Sequence, residues 1–173
     1  MKAQKLAIEY VSVDSLIPYV NNARTHSAEQ VSQIAASIKE FGFTNPVLID
    51  GENGLIAGHG RVMAARKMGM KEVPSIQLSH LTEVQKRAYI LSDNKLALNS
   101  SWDDDLLAAE MTALADVDFD MALIGFSEDE IANLLISDDR PEINESRTKE
   151  INPDDYKMGN QCPKCGFEFN AKT

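Results

Sequence analysis

The residues with the clearest chemical promise are Gly58-His59-Gly60-Arg61, set between the apolar run Leu55-Ile56-Ala57 and a helix-like segment from Val62 to Met68. Leu55 to Ala57 reads as a short strand. Val62 to Met68 reads as a helix, closed by Gly69 where a left-handed C-cap usually sits. A glycine turn from a strand into a helix leaves the first backbone N–H groups of the helix without intrahelical partners. Those donors, with the positive end of the helix dipole, make an anion site. Gly58 and Gly60 let the backbone approach a ligand, and Arg61 offers a planar fork to a phosphate. Two readings of His59 stand side by side. It is a general acid or base beside a phosphate, or a neutral ring donating one hydrogen bond to phosphate or to a backbone carbonyl. The tetrapeptide alone also fits an ordinary tight turn with a solvent-exposed Arg.

A second constellation lies near the C-terminus, Cys162-Pro163-Lys164-Cys165-Gly166-Phe167. This pattern is similar to one knuckle of a zinc ribbon, whose turn lets N–H groups point at both sulfurs. Zinc takes four ligands. A second subunit's knuckle, a His such as His26 or His80, or a partner protein would complete the set; the alternative is a knuckle that binds nothing. A redox role fits less well, because no strand-helix frame surrounds the motif.

The elements around the glycine turn are locally marked. Ser27-Ala28-Glu29-Gln30 is a capping box, with Ser27 and Gln30 in the reciprocal positions, opening a helix from Ala28 to Phe41 that Gly42 ends. Pro46 to Asp50 reads as a buried strand, and Gly51-Glu52-Asn53-Gly54 as a hairpin turn into Leu55. Val73 to Leu78 supplies another strand. Thr82-Glu83-Val84-Gln85 opens a helix running to Leu98.

This order and these residues resemble the ParB/sulfiredoxin superfamily over roughly residues 8–98. The residues carrying the likeness are Ser37-Ile38, Gly42, Pro46-Val47, Gly58, Arg61, Ala64-Ala65, Gly69 and Val73-Pro74. Upstream, Val13 to Pro18 followed by Asn22 and Arg24 looks like the family's first box, in which a strand-end Pro precedes a nucleotide-contacting N-x-R turn. Downstream, Asp93-Asn94 falls where ParB-type domains carry residues that help hold a divalent metal. The resemblance implies an α/β (α+β) fold, a small mixed sheet with flanking helices. It also implies that Asn22, Arg24, Gly58, His59, Gly60 and Arg61 bind CTP or ATP, with magnesium at Asp93 and Asn94. A carboxylate and an amide suit that hard cation, although Asp-Asn on a helix surface is also commonly just solvated.

The departures bear on activity. Sulfiredoxins place a catalytic Cys after the first Gly of their box; here His59 stands there, and no Cys precedes position 162. That excludes sulfinic-acid repair by a thiolate. Partition proteins carry G-E-R-R, so this chain lacks the carboxylate and one Arg, and the Arg that normally follows the acidic-Asn pair is absent at Ala97 and Leu98. Binding is therefore favoured over turnover, with an NTPase or metal-dependent nuclease using His59 and Asp93 as the enzymatic alternative. A non-enzymatic adaptor with a degenerate pocket is the other.

The chain has 173 residues and a formal net charge of −10, unevenly placed. Residues 1–100 carry eleven Lys/Arg against nine Asp/Glu, whereas residues 101–173 carry six against eighteen. The acidic half cannot clamp a DNA backbone. Any DNA contact falls to Arg61, Arg66, Lys67, Lys71, Lys86, Arg87 and Lys95, unless these only decorate solvated faces. Residues 99–137 read as an acidic helical extension. Its helices are Leu106 to about Ala115 and Ser127 to near Ile136, with an apolar run at Phe119 to Phe126 between them. This course resembles the tail of ParB-like phage proteins that often precede DNA methyltransferases, and a protein partner is the contact it implies. No methyltransferase motif is present. Residues 138–173 read as a polar linker and the knuckle. The N-terminus lacks a signal-peptide stretch and no run is long enough to cross a membrane, so a soluble cytoplasmic protein, a homo-oligomer among its options, is expected.

Overall fold

The computed structural model describes residues 5–135, 159–161, 163 and 168–169. The strands are β1 (Ile8–Ser12), β2 (Val47–Ile49), β3 (Leu55–Ala57) and β4 (Glu72–Gln77), and the helices α1 (Ala28–Phe41), α2 (His59–Lys67), α3 (Glu83–Ala97), α4 (Asp104–Asp116) and α5 (Glu128–Leu135). Short 3-10 turns occupy Val13–Ser15 and Met121–Ile124. The four strands form one mixed sheet in the order β1-β4-β2-β3; β2 runs parallel to β4, and the other two pairings are antiparallel.

Alternation along β2 sends its side chains to both faces. Val47 and Ile49 join Val13, Leu16, Leu55, Val62, Ala65 and Val73 in one cluster, and Ala64 of α2 meets Val31 and Ile38 of α1 in a second. Leu48 turns the other way, toward Ile56, Leu78 and Ile90. The sheet is thus covered by α2 and, beyond it, α1 on one side, and by α3 on the other. β1 has no such signature. Its Ile8 and Tyr10 are 60% and 69% exposed, as befits an edge strand, and the sequence reading did not single it out.

Helix starts follow their caps. Ser27 Oγ accepts from Gln30 N at 3.0 Å. The reciprocal half of that expected box is not made, because the Gln30 amide oxygen sits 2.9 Å from His26 Nδ1 instead. At Thr82 and Gln85 both halves are present, and Glu130 reaches back to Ser127 N at 2.7 Å. Pro18 was expected at a strand end. It follows an isolated bridge between Ile17 and Gly54, because β1 has already ended at Ser12.

The helix after the glycine turn starts three residues earlier than its sequence suggests. Gly58, at φ +96° and ψ +25°, is the N-cap, and His59, Gly60 and Arg61 form the first turn of α2. Gly69 follows the helix at φ +70°, as expected of its C-terminal signal. In the hairpin, Asp50 Oδ1 accepts from the N–H groups of Glu52 (2.9 Å) and Gly54 (2.7 Å). Lys86 Nζ, 2.8 Å from Asp50 Oδ2, ties the hairpin to α3. Burial alone pushes the Asp50 carboxyl up; Lys86 and the two backbone donors more than reverse this and hold it below the usual range.

The acidic extension comprises α4, the second 3-10 turn and α5, and Phe119 stacks on Phe41 of α1 with ring centroids 6.3 Å apart. The apolar run at 119–126 is therefore a turn docked on α1. The chain divides into compact units at Met1–Pro141 and Glu142–Thr173. In the second, β5 (Asn160–Gln161) pairs antiparallel with β6 (Glu168–Phe169). Among the described residues no helix is long and apolar enough to cross a membrane.

Gly69 meets open space on the side where a Cβ would project, whereas at Gly58 an added Cβ would lie 2.9 Å from Val47 Cγ1. Gly69→Ala should therefore cost about 1 kcal/mol, the left-handed penalty alone, and Gly58→Ala about 2–3 kcal/mol, because crowding adds to it. Denaturant unfolding of both variants checks this; equal losses would show that Val47 contributes nothing.

Candidate functional site

The left-handed turn at Gly58 aims the start of α2 into a cavity of about 240 Å³. Asn22, Arg24, Gly58, His59, Gly60, Arg61, Asp93 and Asn94 all line it, gathered from the loop before α1, the β3–α2 turn and the last turns of α3. These are all the site residues expected of the first half of the chain. His26, Gln30, Ile34 and Ala97 line it too. His26 was considered only as a zinc ligand, and its place beside the N-cap Ser27 was the available signal that it faces this helix end.

The loop before α1 is built by Asn22. Its Oδ1 accepts from Arg24 N at 3.2 Å and its Nδ2 donates to Arg24 O at 3.1 Å, which fixes the backbone that presents Arg24. Arg24 Nη1 then donates to Asn94 Oδ1 at 3.2 Å, while Asn94 Nδ2 donates to Ile90 O at 2.8 Å. Asn94 is thereby committed to a cation and a carbonyl. Among the described residues no group of three or more His, Cys, Asp or Glu could hold a metal ion. Asp93 and Asn94, the expected magnesium pair, both line the cavity, and Arg24 engages Asn94 there.

Gly60 lines the cavity but is buried, and an added Cβ would lie 2.9 Å from Ile34 Cδ1 and 3.1 Å from His26 Cε1. Its smallness lets α2 approach α1. The Arg61 fork is partly used inside the protein, donating from Nη1 to Asn45 O and, at 3.0 Å, to Pro46 O. Burial pushes the Arg61 guanidinium down and the Asp93 carboxylate pushes it back up, yet Arg stays charged at any ordinary pH. Asp93 also acts on Tyr89, whose hydroxyl is pushed up by burial first and by that carboxylate next.

His59 accepts through one ring nitrogen and keeps the other as a donor. Tyr19 N lies 3.3 Å from His59 Nε2, so the ring's proton belongs on Nδ1. Burial holds the imidazole below its ordinary range, and the neighbouring His26 adds to this. Through Nε2 the ring holds the loop at Tyr19 against the start of α2.

Part of the basic run expected to touch DNA is engaged within the protein. Arg66 donates to Val13 O and Leu16 O at 3.3 and 3.2 Å, Lys67 bonds to Ser32 Oγ at 2.6 Å, and Lys86 is paired with Asp50 and Glu83. Cys162 and Cys165, the expected zinc ligands, lie outside the described residues.

Comparison with known proteins places these features. The ParB N-terminal domain family model matches residues 1–95, more than half the chain, and the ParB-methyltransferase HTH domain model matches residues 105–155. The chain is 58% identical over 85 residues to the ParB-like nuclease domain-containing protein YnaK of Escherichia coli, covering 49% of this chain and 98% of that protein. It is 35% identical over 74 residues to a probable chromosome 2-partitioning protein ParB of Deinococcus radiodurans, covering 41% of this chain and 25% of that one. The chain thus spans nearly all of YnaK but only a quarter of the partitioning protein. Among solved structures, the C-terminally truncated chromosome-partitioning protein ParB from Caulobacter crescentus, complexed with CTP-gamma-S, superposes with a TM-score of 0.61. The match has 21% identity and covers 74% of this chain and 76% of that one, a likeness of fold.

Because folding lowers the His59 pKa, the unfolded chain binds its proton first as pH falls. Stability from this group is full above about 6.5, the ordinary His value, and declines below it. Asp50 acts lower, below its ordinary 3.8. Thermal melts between about pH 7.5 and about pH 5 should show falling stability in the wild type and a flatter profile in His59→Gln. An unchanged slope in the variant would refute this assignment.

Proposed function

The chain belongs to the ParB N-terminal domain family, and on that premise we propose that the cavity at Gly58 binds the phosphates of a nucleotide, CTP or ATP. The supporting observation is the convergence of Arg24, Arg61 and the first turn of α2 on one cavity. Two guanidinium groups and free helix N–H donors are what a polyphosphate requires. In this reading Arg24 leaves Asn94 for the phosphate, and Arg61 keeps Nη1 on the Asn45 and Pro46 carbonyls while its remaining donors face the ligand. Asp93 balances the two cations until an anion arrives. His59 holds the Tyr19 loop against the same helix end. Its committed Nε2 favours binding over an NTPase or nuclease reaction, and no step is assigned to a metal.

The site would serve phage or bacterial DNA metabolism. Residues 101–135 hold ten Asp/Glu and no Lys or Arg, so the described helices of the extension offer no cation to a DNA backbone. This observation favours a protein partner for the extension, with DNA reached through that partner or through the first half of the chain.

Calorimetric titration of CTP and ATP into the wild type and Arg24→Ala tests the phosphate site. Micromolar binding is expected, with a loss of about tenfold or more in the variant, the usual worth of one charge-assisted hydrogen bond. Absence of binding by either nucleotide would sink the proposal.

Asp93 gives a test with the opposite sign. Removing its charge in Asp93→Asn leaves Arg61 without its counter-charge and should tighten nucleotide binding several-fold at low salt, less at high salt. Weaker binding of the variant in magnesium, with the difference from the wild type erased by chelator, would instead mark Asp93 as a metal ligand.

A further inference from the structure

Trp102 is the only tryptophan of the chain, and it is 68% exposed. Its ring meets that of Phe126 at a centroid distance of 5.8 Å and an interplanar angle of 54°. Each ring stands one residue ahead of a helix cap, Asp103 for α4 and Ser127 for α5. The pair therefore marks the place where the starts of these two helices come together. We infer that this aromatic corner receives a lysine or arginine side chain from a basic segment of a partner protein. The inference rests on reading the acidic extension as the part of the chain that meets a protein partner, and it names what that partner must carry.

Two observations choose the occupant. The first is the ring pair. An indole left exposed beside a tilted phenyl ring offers a π face to a cation, and tryptophan is the best of the aromatic side chains for that contact. Apolar burial does not explain the position of the ring, because most of its surface remains in water.

The second is the charge beside it. Asp103, Asp104 and Asp105 lie at the start of α4, and Glu128, Asp129 and Glu130 at the start of α5. Two of the six are engaged in capping. Asp103 Oδ1 accepts from Leu106 N at 3.1 Å, and Glu130 Oε2 accepts from Ser127 N and Oγ at 2.7 Å each. The carboxylates of Asp104, Asp105, Glu128 and Asp129 are exposed and have no ion pair or hydrogen bond among the described residues. A helix N-terminus carries only about half a positive charge, so six carboxylates at two such ends leave a strongly negative surface. No Lys or Arg in residues 101–135 offsets it. Like charge keeps nucleic acid away from this face. Four free carboxylates spread over two helix starts match several cations carried by one chain segment, and not a lone ammonium ion. Such a segment lays one cation over Trp102 and pairs its neighbours with the carboxylates.

The test uses a fluorescein-labelled peptide of alternating lysine, arginine and glycine, with anisotropy read at low salt on the full chain. The wild type should bind it. Trp102→Leu, which keeps apolar bulk and removes the π face, should bind about fivefold more weakly. Trp102→Phe supplies a π face again and should recover most of that loss. Unlabelled peptide should also shift the intrinsic fluorescence of the wild type, which reports Trp102 alone. If Trp102→Leu binds as tightly as the wild type, or if the Leu and Phe variants lose equally, the cation contact is refuted while an acidic partner surface stands. If the wild type does not bind the peptide at low salt, the corner and the acidic extension as a partner surface fall together.

Discussion

The left-handed turn at Gly58 is the constraint on which the site depends. A residue at φ +96° reverses the chain between β3 and α2 without an intervening loop, and only glycine holds that angle without strain while also passing Val47. Because the helix begins at once, His59 lies within reach of Tyr19 N and Arg61 within reach of the carbonyls ahead of β2. Gly60, two residues beyond Gly58, lets α1 and α2 meet closely. The N-terminal end of α2 is therefore built into the core packing. Disturbing the turn would move the loop before α1, the loop before β2 and the first helical donors together.

Electrostatics in this domain are arranged around a few committed cations. Arg66 and Lys86 are tied to carbonyls and carboxylates of neighbouring segments, so both contribute to the fold. Arg24 and Arg61 differ, since each keeps donors toward a cavity and each is restrained by a polar neighbour, Asn94 or Asp93. The acidic extension completes the asymmetry. Its helices carry no positive charge in residues 101–135, yet its 3-10 turn docks on α1 beside the cation-bearing cavity. Apolar contacts, the Phe41–Phe119 stack among them, hold it there.

The helix caps at Ser27, Thr82 and Ser127, the hairpin turn at 51–54 and the C-terminal Gly69 could all be read directly, because each depends on groups within about four residues of one another. The start of α2 could not, since His and Gly are poor helix formers and a glycine N-cap has no side chain to announce itself. β1 escaped notice for a different reason: an edge strand with two exposed faces leaves little apolar alternation to detect. The membership of the cavity was legible through family spacing. Chemistry alone would have left Asn22, Arg24, Asp93 and Asn94 as ordinary surface residues.

Local sequence thus settled most helix boundaries, and the spacing shared with a known family settled the α/β class and the segments that carry the site. The partners of each polar group were settled by folding. Arg24 meets Asn94 across 70 residues, His59 accepts from Tyr19 across 40, and Arg61 turns to Asn45 across 16. A cap or a hydrophobic period is an interaction of a chain with itself over one or two turns. A hydrogen bond between distant segments exists only where packing of the sheet and helices brings them together, so its donor and acceptor roles are properties of the packed molecule.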